Sequence, residues 1–211
     1  MSLPVIILGA GGHAKVLIDA LLAASAIIAG IVDPEPTLAR INILGVPLLG
    51  GDDVVNNYSP SEIQLVNGLG SVGLPDNRQQ LFQRFKEMGY KFVTVIHPSA
   101  IISTDVVLGE GAQVMAGVVI QPGTHIGINS IVNTRASVDH DCIISDHVHV
   151  SPGVTLSGGV TVGAGSHIGT GATLIQGISV GSGCLVAAGA VVTKDIADSA
   201  KVRGVPAREF S

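Results

Sequence analysis

The chain has 211 residues, room for one large domain or two small ones, and a formal net charge of −5 without any cluster of Lys or Arg. That pattern excludes an electrostatic footprint for nucleic acid. Aromatic residues are 3% of the chain, Trp is absent and Gly numbers 28; this suits tight repeated turns closed over small aliphatic side chains better than an ordinary helical or sandwich core.

The first segment, "LPVIILGAGGHAKVLIDALLAASAIIAGIVD", is apolar over a length that could cross a bilayer. Gly9, Gly11, Gly12, His13, Lys15 and Asp19 interrupt it and no basic stretch precedes it, so neither a signal peptide nor membrane insertion is expected. The pattern predicts a strand, a glycine turn, a helix and a second strand ending at Asp33. Gly9-x-Gly11-x-x-Ala14 matches a loose phosphate-binding fingerprint, with Asp33 close to the spacing of a ribose contact. Alone this would suggest NAD, but the unit is about half the size of a full dinucleotide-binding fold. A plainer reading is that Gly11 and Gly12 only let strand and helix pack closely. Further on, "NRQQLFQRFKEMGY" has an amphipathic register, with Asp76 expected to cap the helix.

From His97 the chain falls into sixes. The sixth position is aliphatic without exception, from Ile102, Leu108 and Val114 through to Val192, and the fourth is small or β-branched. A period of six fits neither a helix nor a simple alternating strand. It fits a parallel β-helix, whose short strands turn at fixed intervals and stack on the next coil. Cys142 and Cys184 both fall in the small fourth slot, match neither a zinc pattern nor a disulfide framework, and read as reduced packing thiols of a cytoplasmic protein.

Within this apolar repeat, "SVDHDCIISDHVHV" (137–150) holds three His and three Asp in a chain only 13% charged. His140 stands at hexad position two, outside the aliphatic column, flanked by Asp139 and Asp141. A carboxylate beside an imidazole can fix its tautomer and favour the imidazolium, which suits a general base; a solvated turn is the bland alternative. His147 and His125 read as surface or packing residues.

The hexads, together with "GAGGHA", "VGLPDNR", "IHPSA", "VDHD" and "GVPA", resemble the hexapeptide-repeat sugar acetyltransferases, most closely the UDP-4-amino-sugar N-acetyltransferases of bacterial glycan synthesis. The resemblance spans essentially the whole chain. It implies an α/β Rossmann-like domain (1–90) followed by an all-β left-handed parallel β-helix (91–211), and a homotrimer with sites in the clefts between protomers. His140 would deprotonate the attacking amine, assisted by the following acidic residue, usually Glu in that family and Asp141 here. Whether Asp141 or Asp139 reaches the ring is open. Asn133 matches an asparagine near the substrate amine, and His149 a histidine near the acetyl-CoA thioester or the substrate. The glycine turn (Gly11, Gly12, His13) would hold the pyrophosphate of a nucleotide sugar at a helix N-terminus, with Asp33 facing the nucleoside and Gly68 to Arg78, including Gly70, as a second wall.

In that frame residues eighteen apart stack, about 4.8 Å between strands, so His149 lies below His167 and His140 below Gly158. The Gly158 N–H is the expected oxyanion donor, and acetyl-CoA would run along the later coils through Gly158, Gly169 and Ala188. Direct transfer in a ternary complex is expected, since neither cysteine is placed as a nucleophile. No metal is expected, although His147, His149 and His167 could be put forward as zinc ligands by analogy with β-helix carbonic anhydrases. The expected activity is acetyl-CoA-dependent N-acetylation of a UDP-linked 4-amino sugar. The rivals are O-acetylation of sialic acid or another capsule sugar, and a non-catalytic nucleotide-sugar sensor.

Overall fold

The computed structural model describes residues 3–34 and 42–210. Its first part is a five-stranded sheet. The apolar run Val5–Leu8 forms β1, fully buried, and leads through the glycine turn into helix α1, Gly12–Ala23. Ile28–Val32 is β2, Asn42–Ile43 β3, Val46–Gly50 β4 and Gln64–Asn67 β5. The sheet order is β3-β4-β2-β1-β5, parallel except for the β3–β4 hairpin. With parallel strands the carboxyl ends of β1 and β5 open side by side, where open α/β sheets bind ligands. Helix α2 spans Asp76–Glu87 and buries Arg78, Phe82 and Phe85 on one stripe. Asp76 lies inside the first turn and makes no capping bond; Pro75 is the N-cap. The expected Asp76 cap is therefore corrected: proline, which has no N–H to satisfy, holds the boundary.

From Val95–Ile96 (β6) onward the chain is a β-helix with a two-residue strand in every hexad up to Val191–Val192. Strands eighteen residues apart pair in parallel, giving three faces. The first face carries Gln113–Val114, Ile131–Val132, His149–Val150, His167–Ile168 and Leu185–Val186. The second carries Val119–Ile120, Ser137–Val138, Thr155–Leu156 and Thr173–Leu174. The third carries Val107–Leu108, His125–Ile126, Ile143–Ile144 and Thr161–Val162. Sixth-position side chains point inward and form one continuous core with the fourth-position ones, Cys142 and Cys184 included. Polar fourth-slot groups donate across the coil: Thr124 to Asp139 O at 3.0 Å, Ser130 to Ser145 O at 2.8 Å, Ser166 to Gly181 O at 2.8 Å. Cys142 follows the same pattern towards Ser157 O, which makes it a packing thiol.

The α/β part is not a separate bead. Phe92 bridges Leu65 of β5, while β6 pairs with Gln113–Val114, and Met115 of the β-helix belongs to the apolar core around α1. The α/β part thus covers the first face of the early coils. That coverage buries fifth-position residues Gln113, His149 and His167, which would otherwise face solvent. Among the described residues no helix is long and apolar enough to cross a membrane.

Candidate active site

Where the α/β part meets the first face, a cavity of about 670 Å³ is lined by Gly11, Gly12, His13, Gly68, Gly70, Ser71, Asn133, Thr134, His149 and His167 among others. The fold brings these together because β1 and β5 end at one edge and that edge rests on the coils containing Asn133 and His149. Gly11 is the N-cap of α1 and has no side chain to cap it, and Gly11, Gly12 and His13 line the cavity, so the helix end whose first N–H groups have no partner within the helix borders it. A Cβ at Gly11 or Gly12 would meet nothing within 4 Å, whereas at Gly68 it would strike the Leu8 carbonyl and at Gly9 (φ +98) Leu69. Close approach of the ends of β1 and β5 therefore explains Gly9 and Gly68, and no such crowding accounts for Gly11 and Gly12. Their bareness leaves room for a ligand at a positive helix end, the physical setting of an anion site.

Asp33 accepts the Ala10 N–H at 2.7 Å and so braces the glycine turn; it is not among the residues lining the cavity. His13 bonds through Nε2 to Gln113 Oε1 at 2.7 Å. Gln113 in turn donates through Nε2 to Asn67 O at 2.8 Å, so its oxygen faces His13 and the His13 Nε2 carries the hydrogen. Burial, aided by the charge of Arg78, pushes His13 down to about 4.

Arg78, within the quoted "VGLPDNR" stretch, was not singled out from the sequence. Its guanidinium is fully buried, with no carboxylate partner among the described residues, and donates to Asn67 O at 2.8 Å, Leu69 O at 2.6 Å and Asn129 O at 3.3 Å. It ties the second wall of the cavity to a β-helix turn. Ser71 was missed too: its Oγ lies 2.6 Å from His149 Nδ1 and 3.4 Å from His167 Nδ1. The two rings stand edge-to-face at 4.9 Å between centroids. His149 is pushed down to about 3 by burial first and then by His167, His13 and Arg78; burial lowers His167 as well. His149 is thus in the glycine-turn cavity and not beside Gly158. His147 faces Asn129 at 3.0 Å and the edge of Phe82, so it does not converge with His149 and His167. Among the described residues no group of three His, Cys, Asp or Glu could hold a metal ion.

His140 lies elsewhere, on the corner that follows the second face; the cavity uses the corner that precedes it. Its side chain is 51% exposed and its Nδ1 meets Asp141 Oδ2 at 2.8 Å. Asp139 instead accepts the His140 backbone N–H at 2.8 Å, so Asp141 is the carboxylate on the ring. The bond to Asp141 raises the His140 pKa, with Asp139 adding to it and desolvation opposing. Asp141 manages this from a left-handed backbone, φ 59, and its carboxylate lies where a Cβ on Gly123 would be. From residue 111 to residue 189 the third position of the hexad turn is left-handed, and it is glycine at 111, 117 and 123 and again from 153 to 189. Between them it is Asn129, Arg135, Asp141 and His147. Non-glycine residues there cost about 1 kcal/mol or more each, and the substitution is confined to the coils that carry the charged side chains.

Gly158 sits directly against the His140 ring, where a Cβ would collide with Nε2, and the Gly159 N–H donates to His140 O at 2.8 Å. Gly169 and the Ala188 backbone stack on each other at the corner between the first and second faces. Within one protomer Gly158 and Gly169 therefore lie on different corners, as His140 and Asn133 do. Between those last two the chain makes the Thr134–Arg135 turn and then crosses the second face as the strand Ser137–Val138, so they sit at opposite edges of that face.

Residues 4–85 match the family model of the PglD N-terminal domain, and residues 159–194 match the hexapeptide repeat of succinyl-transferase. GDP-perosamine N-acetyltransferase of Escherichia coli O157:H7 is 34% identical over 85 residues, 40% of this chain and only 38% of that relative's length. A histidine-to-asparagine variant of perosamine N-acetyltransferase from Caulobacter crescentus, in complex with CoA and GDP-perosamine, is 40% identical. It superposes with a TM-score of 0.91 over 99% of this chain and 97% of that one. The acetyltransferase domain of PglB from Neisseria gonorrhoeae FA1090, in complex with acetyl coenzyme A, is 36% identical with a TM-score of 0.91 over 100% of both chains.

Proposed function

Since this chain belongs to the hexapeptide-repeat sugar N-acetyltransferases, we propose that it moves the acetyl group of acetyl-CoA to the amino group of a nucleotide-linked amino sugar. The observation that carries the reading is the bare Gly11–Gly12 turn, open at the N-terminus of α1 in the same cavity as Asn133 and His149. It offers backbone donors to a pyrophosphate, and the wall from Gly68 to Ser71 closes the other side. A UDP-linked 4-amino sugar is what the sequence resemblance suggests; the Caulobacter crescentus relatives hold GDP-perosamine, so both nucleotides are candidate carriers.

An amine attacks a thioester only as its free base. In this reading Asp141 holds His140 through Nδ1, leaving Nε2 free to take the amine proton, a role typically worth ~10²–10⁴-fold. The Gly158 N–H, against the same ring, would stabilise the tetrahedral oxyanion. Acetyl-CoA would then run past Gly158, Gly169 and Ala188. Because the cavity and His140 occupy opposite edges of the second face, a working site draws them from two protomers. We therefore include a homotrimer in the proposal, with the cavity of one copy facing the His140 turn of the next.

The test is thiol release from acetyl-CoA with GDP-linked and UDP-linked 4-amino sugars and with sialic acid, in the wild type and His140→Ala. Turnover with one amino sugar that collapses in the variant, while acetyl-CoA still binds, supports the reading and names the nucleotide. Release with sialic acid alone would replace it with O-acetylation. Acetyl-CoA binding without any turnover would favour a sensor.

A further inference from the structure

Five cavity side chains form a hydrogen-bond chain whose direction is set at one end. Asn133 Oδ1 accepts the Thr134 N–H at 2.8 Å, so the amide turns its Nδ2 towards His149 Nε2, 3.2 Å away. An amide nitrogen only donates, which makes Nε2 the bare, accepting nitrogen of that ring. Burial keeps His149 neutral at ordinary pH, so its single ring hydrogen is on Nδ1 and donates to Ser71 Oγ at 2.6 Å. The Ser71 hydrogen is then available to His167 Nδ1, at 3.4 Å a long bond. With Nδ1 accepting, His167 donates through Nε2 to Ser151 Oγ at 3.2 Å. The Ser151 hydrogen remains, on a residue that lines the cavity.

We propose that Ser71 is a positioning residue: reaching from the nucleotide-binding wall to the β-helix, it accepts from the His149 tautomer that Asn133 sets, passes that direction on to His167, and so aligns the chain Asn133–His149–Ser71–His167–Ser151. The aligned chain offers the sugar a hydroxyl donor and no charge. This rests on the cavity being the nucleotide-sugar site. An uncharged ring rich in oxygen acceptors suits such a lining, while a sugar carboxylate gains no ion pair from it. Ser71 acts through His167, and sequence gives no hint of the chain because 78 residues separate Ser71 from His149 and 96 separate it from His167.

The experiment uses the full chain labelled with ¹⁵N-histidine, free of ligand, with His149 and His167 resonances assigned from His149→Gln and His167→Gln. Long-range ¹H–¹⁵N spectra should show His149 as a single tautomer, Nδ1 protonated and Nε2 bare. Ser71→Ala, folded by its thermal melt, should leave His149 in the form that Asn133 sets but average the two His167 nitrogens, which in the wild type are bare at Nδ1 and protonated at Nε2, and Ser71→Thr should restore the single His167 form. In turnover, Ser71→Ala should raise KM for the nucleotide sugar roughly ten-fold, the effect of one lost buried hydrogen bond, with KM for acetyl-CoA unchanged. An unaltered His167 pattern in Ser71→Ala, or a wild-type His149 protonated on Nε2, overturns the proposal. A chain that acetylates no nucleotide sugar yet loses the single His167 form in Ser71→Ala would remove the proposed function and leave the alignment by Ser71 standing.

Discussion

Replacing Gly158 by Ala tests the base without touching it. Gly158 has an ordinary backbone φ, so Ala is conformationally allowed there. Its Cβ, however, would lie against Nε2 of His140, 2.5 Å from Cε1 and 3.0 Å from Cδ2. The ring is the far end of a half-exposed side chain, so it can swing away at little cost, and stability should stay within about 0.5 kcal/mol of wild type. To swing, it must move Nε2 by an ångström or more and loosen the 2.8 Å bond to Asp141. A misplacement of ~1 Å can cost ~10²-fold, and complete loss of the base ~10²–10⁴-fold. Gly158→Ala should therefore lower kcat by about 10² or more in the thiol-release assay, with the melting temperature unchanged and acetyl-CoA still bound by calorimetry. A variant that turns over at the wild-type rate would refute the placement of the reaction at this ring. A loss of activity explained by unfolding would instead refute the expectation that the half-exposed ring swings away at little cost.

Asp141→Asn keeps a residue tolerant of the left-handed turn but removes the bond that chiefly raises the His140 pKa. A base works when neutral, so activity climbs as pH passes upward through its pKa; the rising limb of kcat/KM should shift to lower pH in the variant, and an unmoved limb would count against Asp141. Gly11→Val points into open space and should leave the melting temperature alone while raising KM for the nucleotide sugar. Co-assembled with His140→Ala, it should regain part of the wild-type activity if each site draws on two protomers, and none if each protomer is self-sufficient. Arg78→Met orphans the carbonyls of Leu69 and Asn129 and takes one of two donors from the Asn67 carbonyl, which keeps Gln113. At ~1–3 kcal/mol for each unsatisfied group, a net loss of about 3 kcal/mol corresponds to roughly 6–12 °C in melting temperature, read by calorimetry; a change under about 2 °C would mean the guanidinium is not what holds the wall.

The six-residue period alone determined the β-helix, because its cause is local: every sixth side chain must be aliphatic to fill the coil and every fourth small enough to fit beside it. The same period put His149 against His167 and His140 against Gly158, since stacking at eighteen is arithmetic once three hexads close a coil. The glycine turn and α1 were equally legible, as alternation between a short apolar run and a helical register is a local signal. Tertiary structure alone decided which face the α/β part would cover. Nothing in the hexads distinguishes the three faces, and the contacts that select one join residues far apart in sequence, such as His13 with Gln113, Arg78 with Asn129 and Ser71 with His149. That choice turned outward histidines into buried neutral ones, made an arginine on a surface-reading helix into a fully buried tie, and set His140 and the glycine turn on opposite edges of one face.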